Sequence, residues 1–166
     1  GLLSEDPERG DVARALPAVC ARSPTPADDV RRLLQAGGLG YADAVRDLLR
    51  DGAMRAALQV FMMAKGEEAF PVEEFPVDVT LSILRLLAAT DQVQAAVAHI
   101  KDLARRGRLD ASAASDHFHA CMRGVLLRGS AGALKAAQTI VDIMEQAGAP
   151  RTGETLALLI DACALA

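Results

Sequence analysis

Apolar residues along this chain recur at spacings of three and four, which gives each segment one greasy helical face. The clearest case runs from Ala133 to Ala147, with Leu134, Ala137, Ile140, Val141 and Met144 on one side. Gly129-Ser130-Ala131-Gly132 precedes it as a turn. Gly148 follows as a left-handed cap, and Pro150 prevents continuation. Upstream, Phe118, Cys121, Met122, Val125 and Leu126 make the matching face of a partner helix, with Ser115 as its expected N-cap. The pattern predicts a helical hairpin over about 115–147.

The same grammar appears twice more. Leu81, Leu84, Leu87 and Ala88 share a face before Ala89-Thr90-Asp91 breaks the helix. Val93, Ala96, Val97, Ile100 and Leu103 build the next face, which Gly107 ends. Earlier, Tyr41, Val45, Leu48 and Leu49 lead to Asp51-Gly52, and Met54, Ala57, Leu58, Phe61 and Met62 lead to Gly66. Aligning the second helices puts Ala57, Ala96 and Ala137 in register, 39 and 41 residues apart. A side chain that small lets two helices approach closely. A hairpin cannot bury its own apolar face, so the expectation is an array of stacked hairpins.

Two stretches leave the rhythm. Residues 67–76 are acidic and proline-rich, which predicts a loop held to the helices by Phe70 and Phe75. At the front, 11–22 and 27–36 have helical patterns, the first interrupted by Pro17 and the two parted by Ser23-Pro24-Thr25-Pro26. Residues 1–10 read as irregular. The expected organisation is therefore an N-terminal segment with two short helices over 1–40 and helical repeats over 41–166.

Composition sharpens the fold class. Apolar residues make up 51% and aromatics 3% of the 166 residues. Small and straight side chains favour helices, and no alternating β-branched stretch predicts a strand. The fold class is all-α. The net charge is −4, with 13 acidic and 9 basic residues before position 78 and 9 of each after it. That excludes a broad basic slab for gripping duplex phosphates. No apolar run reaches the roughly 18–20 residues of a membrane span, so no membrane insertion is expected. Cys20, Cys121 and Cys163 are odd in number and form no C-x-x-C pair, which suits a reducing compartment. Cys121 and Cys163 read as core residues.

Candidate chemistry is sparse. Arg105, Arg106 and Arg108 form the sharpest basic cluster. They could contact phosphate, or simply complement the negative end of a helix. Arg123 and Arg128 lie on a first helix, placed to face a nucleic-acid backbone. His117 and Cys121 are four apart, but two ligands without a second Cys/His pair do not make a zinc site, so no metal is expected. Asp28-Asp29 and Glu67-Glu68 read as helix-start and solvated acids. No phosphate loop, G-x-S-x-G or nucleophile with an identifiable base is present. The expectation is a non-enzyme without cofactor or small-molecule substrate.

The run Ala131-Gly132-Ala133-Leu134-Lys135-Ala136-Ala137, then Ile140, Met144, Gly148 and Pro150, then Thr155 and Leu159-Ile160-Asp161-Ala162-Cys163, resembles the pentatricopeptide repeat family. The resemblance covers about 41–166, as repeats at 41–66, 79–110 and 115–150 and half of another at 154–166, and is most specific at 115–163. Tetratricopeptide repeats are the nearest competitor, but their Trp and Tyr positions are missing from a chain with no Trp and one Tyr. The resemblance implies an α-solenoid that binds single-stranded RNA, one base per repeat, in chloroplast or mitochondrial RNA metabolism or translation. By that family's pattern the reading pairs would be Ser82 with Asp110 and His119 with Arg151. Ala157 holds the equivalent place in the last helix and cannot hydrogen-bond a base.

A second expectation is a non-catalytic scaffold that docks proteins as a subunit of an organellar ribosome or another large complex. A third is a regulatory helical domain of an enzyme. The last segment, Glu154 to Ala166, reads as a first helix without its partner, which predicts an excerpt of a longer array with Leu156, Leu159 and Ile160 uncovered.

Overall fold

The computed structural model describes residues 7–67 and 75–166. The expected irregular start lies mostly outside these residues, as do Phe70 and most of the acidic loop. Among the described residues the chain is all-helical, with no strand. The helices are α1 (Pro7–Arg22), α2 (Pro26–Ala36), α3 (Tyr41–Arg50), α4 (Met54–Gly66), α5 (Val77–Ala89), α6 (Val93–Arg105), α7 (Ala111–Arg128), α8 (Ala133–Gln146) and α9 (Gly153–Ala164). They group into two compact units, residues 1–79 and 80–166, divided within α5.

One device ends most of these helices. The N–H groups of Leu39, Ala53, Gln92, Arg108 and Ala149 each bond back to the carbonyl five residues earlier, at 2.8–3.0 Å. The acceptors belong to Leu34, Leu48, Leu87, Leu103 and Met144, all buried. The residue before each donor is left-handed: Gly38, Gly52, Asp91, Gly107 and Gly148. This is the Schellman arrangement, which satisfies carbonyls the helix end would leave open. Gly148 has φ of 73° with nothing within 4 Å of an added Cβ, so backbone strain alone sets the cost of substitution there. Gly148→Ala should lower stability by about 1 kcal/mol in urea unfolding.

In the first unit α1 packs on α2, α3 and α4, and α4 also contacts α2 and α3. Pro17 does not interrupt α1, contrary to the sequence expectation. Val12, Ala13, Leu16 and Cys20 are buried on one face across it. That burial offsets the roughly 3 kcal/mol an internal proline costs. The buried face of α4 is Ala56, Ala57, Leu58, Val60, Phe61 and Ala64. It keeps Ala57, Leu58 and Phe61 of the expected face, while Met54 and Met62 are exposed. Phe75 is buried edge-on against Phe61, ring centroids 5.3 Å apart. Glu67 is not merely solvated: it pairs with Arg31 and accepts from the Tyr41 hydroxyl at 3.4 Å.

In the second unit α7 packs on α6, α8 and α9, and α8 contacts α9. Helix α7 starts four residues before the expected Ser115 cap. Asp110 takes that role by accepting the Ala113 N–H at 2.7 Å, which adds a turn. The three alanines in register, Ala57, Ala96 and Ala137, are all fully buried. Ala96→Leu or Ala137→Leu should therefore overpack and cost about 1–3 kcal/mol, while Leu at exposed Ala104 should be near neutral by the same melt.

Candidate functional site

Polar residues gather where α7 meets the start of α9. Ser115, His119 and Arg123 are four apart on α7 and so form one column along it. Ser115 Oγ donates to the Pro150 carbonyl at 2.9 Å. Beyond Pro150, Thr152 caps α9 in a reciprocal box with Thr155, whose Oγ1 accepts the Thr152 N–H at 3.0 Å. The same Thr155 Oγ1 lies 2.7 Å from His119 Nε2, with both side chains buried. Arg123 forms an ion pair with Glu154 in the first turn of α9. His119 Nδ1 is 3.4 Å from Glu154 Oε2 but makes no hydrogen bond. Asp116 completes the group: one ligand atom each of Asp116, His119 and Glu154 lies within 4.8 Å of the others.

This placement bears on every residue the sequence singles out. His119 and Arg151, the expected reading pair, are engaged by different partners. His119 is 1% exposed and tied to Thr155, so its ring is not available to a base, and Arg151 Nε bonds Glu145 at 2.6 Å. Asp110 caps α7, and Ser82 is half-buried on α5. Arg128 pairs with Asp91. Arg105 and Arg106 lie 3.9 and 3.2 Å from Asp102 on the same helix end, while Arg108 is exposed just beyond Gly107. His117 Nδ1 bonds the Ala113 carbonyl at 2.6 Å, within its own helix. Sequence reasoning missed Asp116, Glu154 and Thr155. His119 and Glu154 are 35 positions apart, and only the α7–α9 packing joins them.

Burial lowers the His119 pKa below the ordinary histidine value, and the nearby Arg123 charge lowers it further, against an opposing pull from Asp116. A histidine held neutral in the fold binds fewer protons than in the unfolded chain at pH values just below 6.5. Stability should therefore fall as pH drops below that value. Urea melts at pH 7.5 and 5.5 should show a larger loss for the parent than for His119→Gln. Equal losses would assign the effect elsewhere.

The thiols separate by burial. Cys121 is fully buried and its pKa is pushed up to about 12, and burial also raises that of Cys20. Cys163 is exposed, not in the core as the sequence implied. An alkylating reagent should modify Cys163 fastest in the native protein, Cys20 more slowly and Cys121 only on unfolding, as read by intact mass. An open groove in the first unit is lined by Pro17, Cys20, Ala53, Met54, Arg55 and Gln59, with Cys20 its one thiol.

Comparison with protein family models, curated proteins and solved structures finds no match to the chain.

Proposed function

We propose that this protein is a non-catalytic scaffold, a pentatricopeptide-like α-solenoid whose helical hairpins dock protein partners in a larger assembly such as an organellar ribosome. The observation that carries this reading is the fate of the polar candidates. Asp110 caps a helix, Arg123, Arg128 and Arg151 form ion pairs within the chain, and His119 Nε2 meets Thr155 in a buried hydrogen bond. Each of these contacts would have to be given up before the side chain could read a base. The acidic balance points the same way, since phosphate contact dominates nucleic-acid affinity. On α9, Leu156 and Ile160 are 56% and 69% exposed and one turn apart, an apolar strip suited to protein rather than phosphate.

Anisotropy titration with labelled single-stranded RNA tests the reading. The scaffold role predicts no saturable, salt-sensitive binding at 0.15 M salt. RNA binding whose affinity falls steeply with salt would overturn it. The RNA-binding alternative keeps one specific support, the exposed Arg105, Arg106 and Arg108 at the end of α6. If that reading holds, replacing all three by Gln makes the salt slope shallower by about 1 for each phosphate the protein no longer neutralises.

A further inference from the structure

We propose that Asp116, His119 and Glu154 form a binding site for one divalent transition ion of the zinc class, held through His119 Nδ1 and one oxygen of each carboxylate.

Three independent features of the joint support it. First, His119 is 1% exposed and its Nδ1 is a buried nitrogen with no hydrogen-bond partner, a costly arrangement that a cation relieves. Second, the other ring nitrogen is already held: with its N–H on Nε2, His119 donates to Thr155 Oγ1 at 2.7 Å. That fixes the ring and leaves the Nδ1 lone pair directed into the cluster, the outer-shell pattern of metal-bound histidines. Burial and Arg123 both favour the neutral imidazole that a metal requires. Third, the His119–Glu154 spacing fits, and a ligand atom of Asp116 lies within 4.8 Å of both. Two ligands about 2.0–2.1 Å from a tetrahedral zinc stand roughly 3.3 Å apart, and His119 Nδ1 and Glu154 Oε2 are 3.4 Å apart.

The cluster's net charge attracts a cation without fully neutralising a dication. Asp116 and Glu154 supply two negative charges and Arg123 one positive charge on the opposite Glu154 oxygen, Oε1. Arg123 thus competes for the same carboxylate, and the positive end of α9 opposes a cation at Glu154. Three protein ligands leave a fourth position to solvent. The site should bind in the micromolar range, as a structural clasp between α7 and α9. It is independent of the proposed scaffold role and stands or falls without it.

The experiment uses the full chain stripped with chelator. Co2+ is titrated with visible absorption as the readout, and Zn2+ by calorimetry. One equivalent should bind, with the absorption of a tetrahedral ion. Asp116→Asn and Glu154→Gln, both at exposed positions, should each weaken binding at least about tenfold. Asp161→Asn, on an exposed α9 carboxylate outside the cluster, should leave it unchanged. Arg123→Met should tighten it. Two results overturn the proposal: no saturable binding of either ion to the parent, or parent-like affinity in both carboxylate variants while they keep the parent's circular dichroism.

Discussion

Replacing Gly124 with alanine is expected to destabilise the 80–166 unit by about 3 kcal/mol or more, the upper end of overpacking costs. Gly124 lies inside α7 and is buried. A Cβ built there would stand 2.1 Å from the Arg85 carbonyl oxygen and 2.7 Å from the Ala88 Cβ, both on α5. The first of these neighbours is backbone, so no side-chain rotation relieves the clash, and α5 and α7 would have to move apart. Leu84, Leu87 and Ala88 on α5 and Met122 and Val125 on α7 are buried around this approach, and their packing would loosen together. The same substitution at Gly10, inside α1 with nothing within 4 Å, should instead stabilise by about 0.5–1 kcal/mol, because alanine restricts the unfolded chain. Urea unfolding of the two variants beside the parent checks both signs. A parent-like Gly124→Ala would mean the two helices do not touch there.

Phe61→Ala is the second large effect, expected at about 3–5 kcal/mol in the first unit. Phe61 is 1% exposed on α4, and Phe75 packs against it edge to face with 68° between the ring planes. Truncation removes the largest side chain of that buried face together with its edge-to-face contact to Phe75, just ahead of α5. Such a pair adds about 0.5–1.5 kcal/mol beyond simple area. Phe61→Leu, which keeps most of the volume, should cost less than about 1.5 kcal/mol. Thermal melts should rank the three proteins in that order. If leucine and alanine cost the same, the ring pairing contributes little.

The helices are legible in the sequence because their signals are local. Spacings of three and four mark the faces of α5 to α8, and glycines mark ends at 52, 107 and 148, where a left-handed residue is required. The alanines at 57, 96 and 137 are legible because a small residue recurs at matching places among larger buried ones such as Phe61, Ile100 and Ile140. Three other features depend on tertiary context. Gly124 reads as a weak helix residue until the opposing carbonyl is seen. Pro17 reads as a break until the buried face running through it is counted. Cys163 continues an apolar pattern, yet no helix of the described chain covers that side of α9.

The candidate site is less legible than the fold. His119 reads as a base reader by its place in the repeat, and periodicity does not distinguish an outward position from one facing the next helix. Its partner Thr155 belongs to a capping box visible in the sequence, but nothing local says that the same hydroxyl also meets a histidine. Carboxylates are common on helix surfaces, so Asp116 and Glu154 carry no signal until they converge.

The polar column of α7 joins helix to helix, with His119 Nε2 tied to Thr155 of α9, rather than reading nucleic-acid bases. A double-mutant cycle between His119→Ala and Thr155→Ala, run in urea with chelator present, measures that joint directly. The structure predicts a coupling of about 0.5–3 kcal/mol between the two positions. Effects that add to within about 0.3 kcal/mol would show that these side chains do not meet, and the joint described here would not exist.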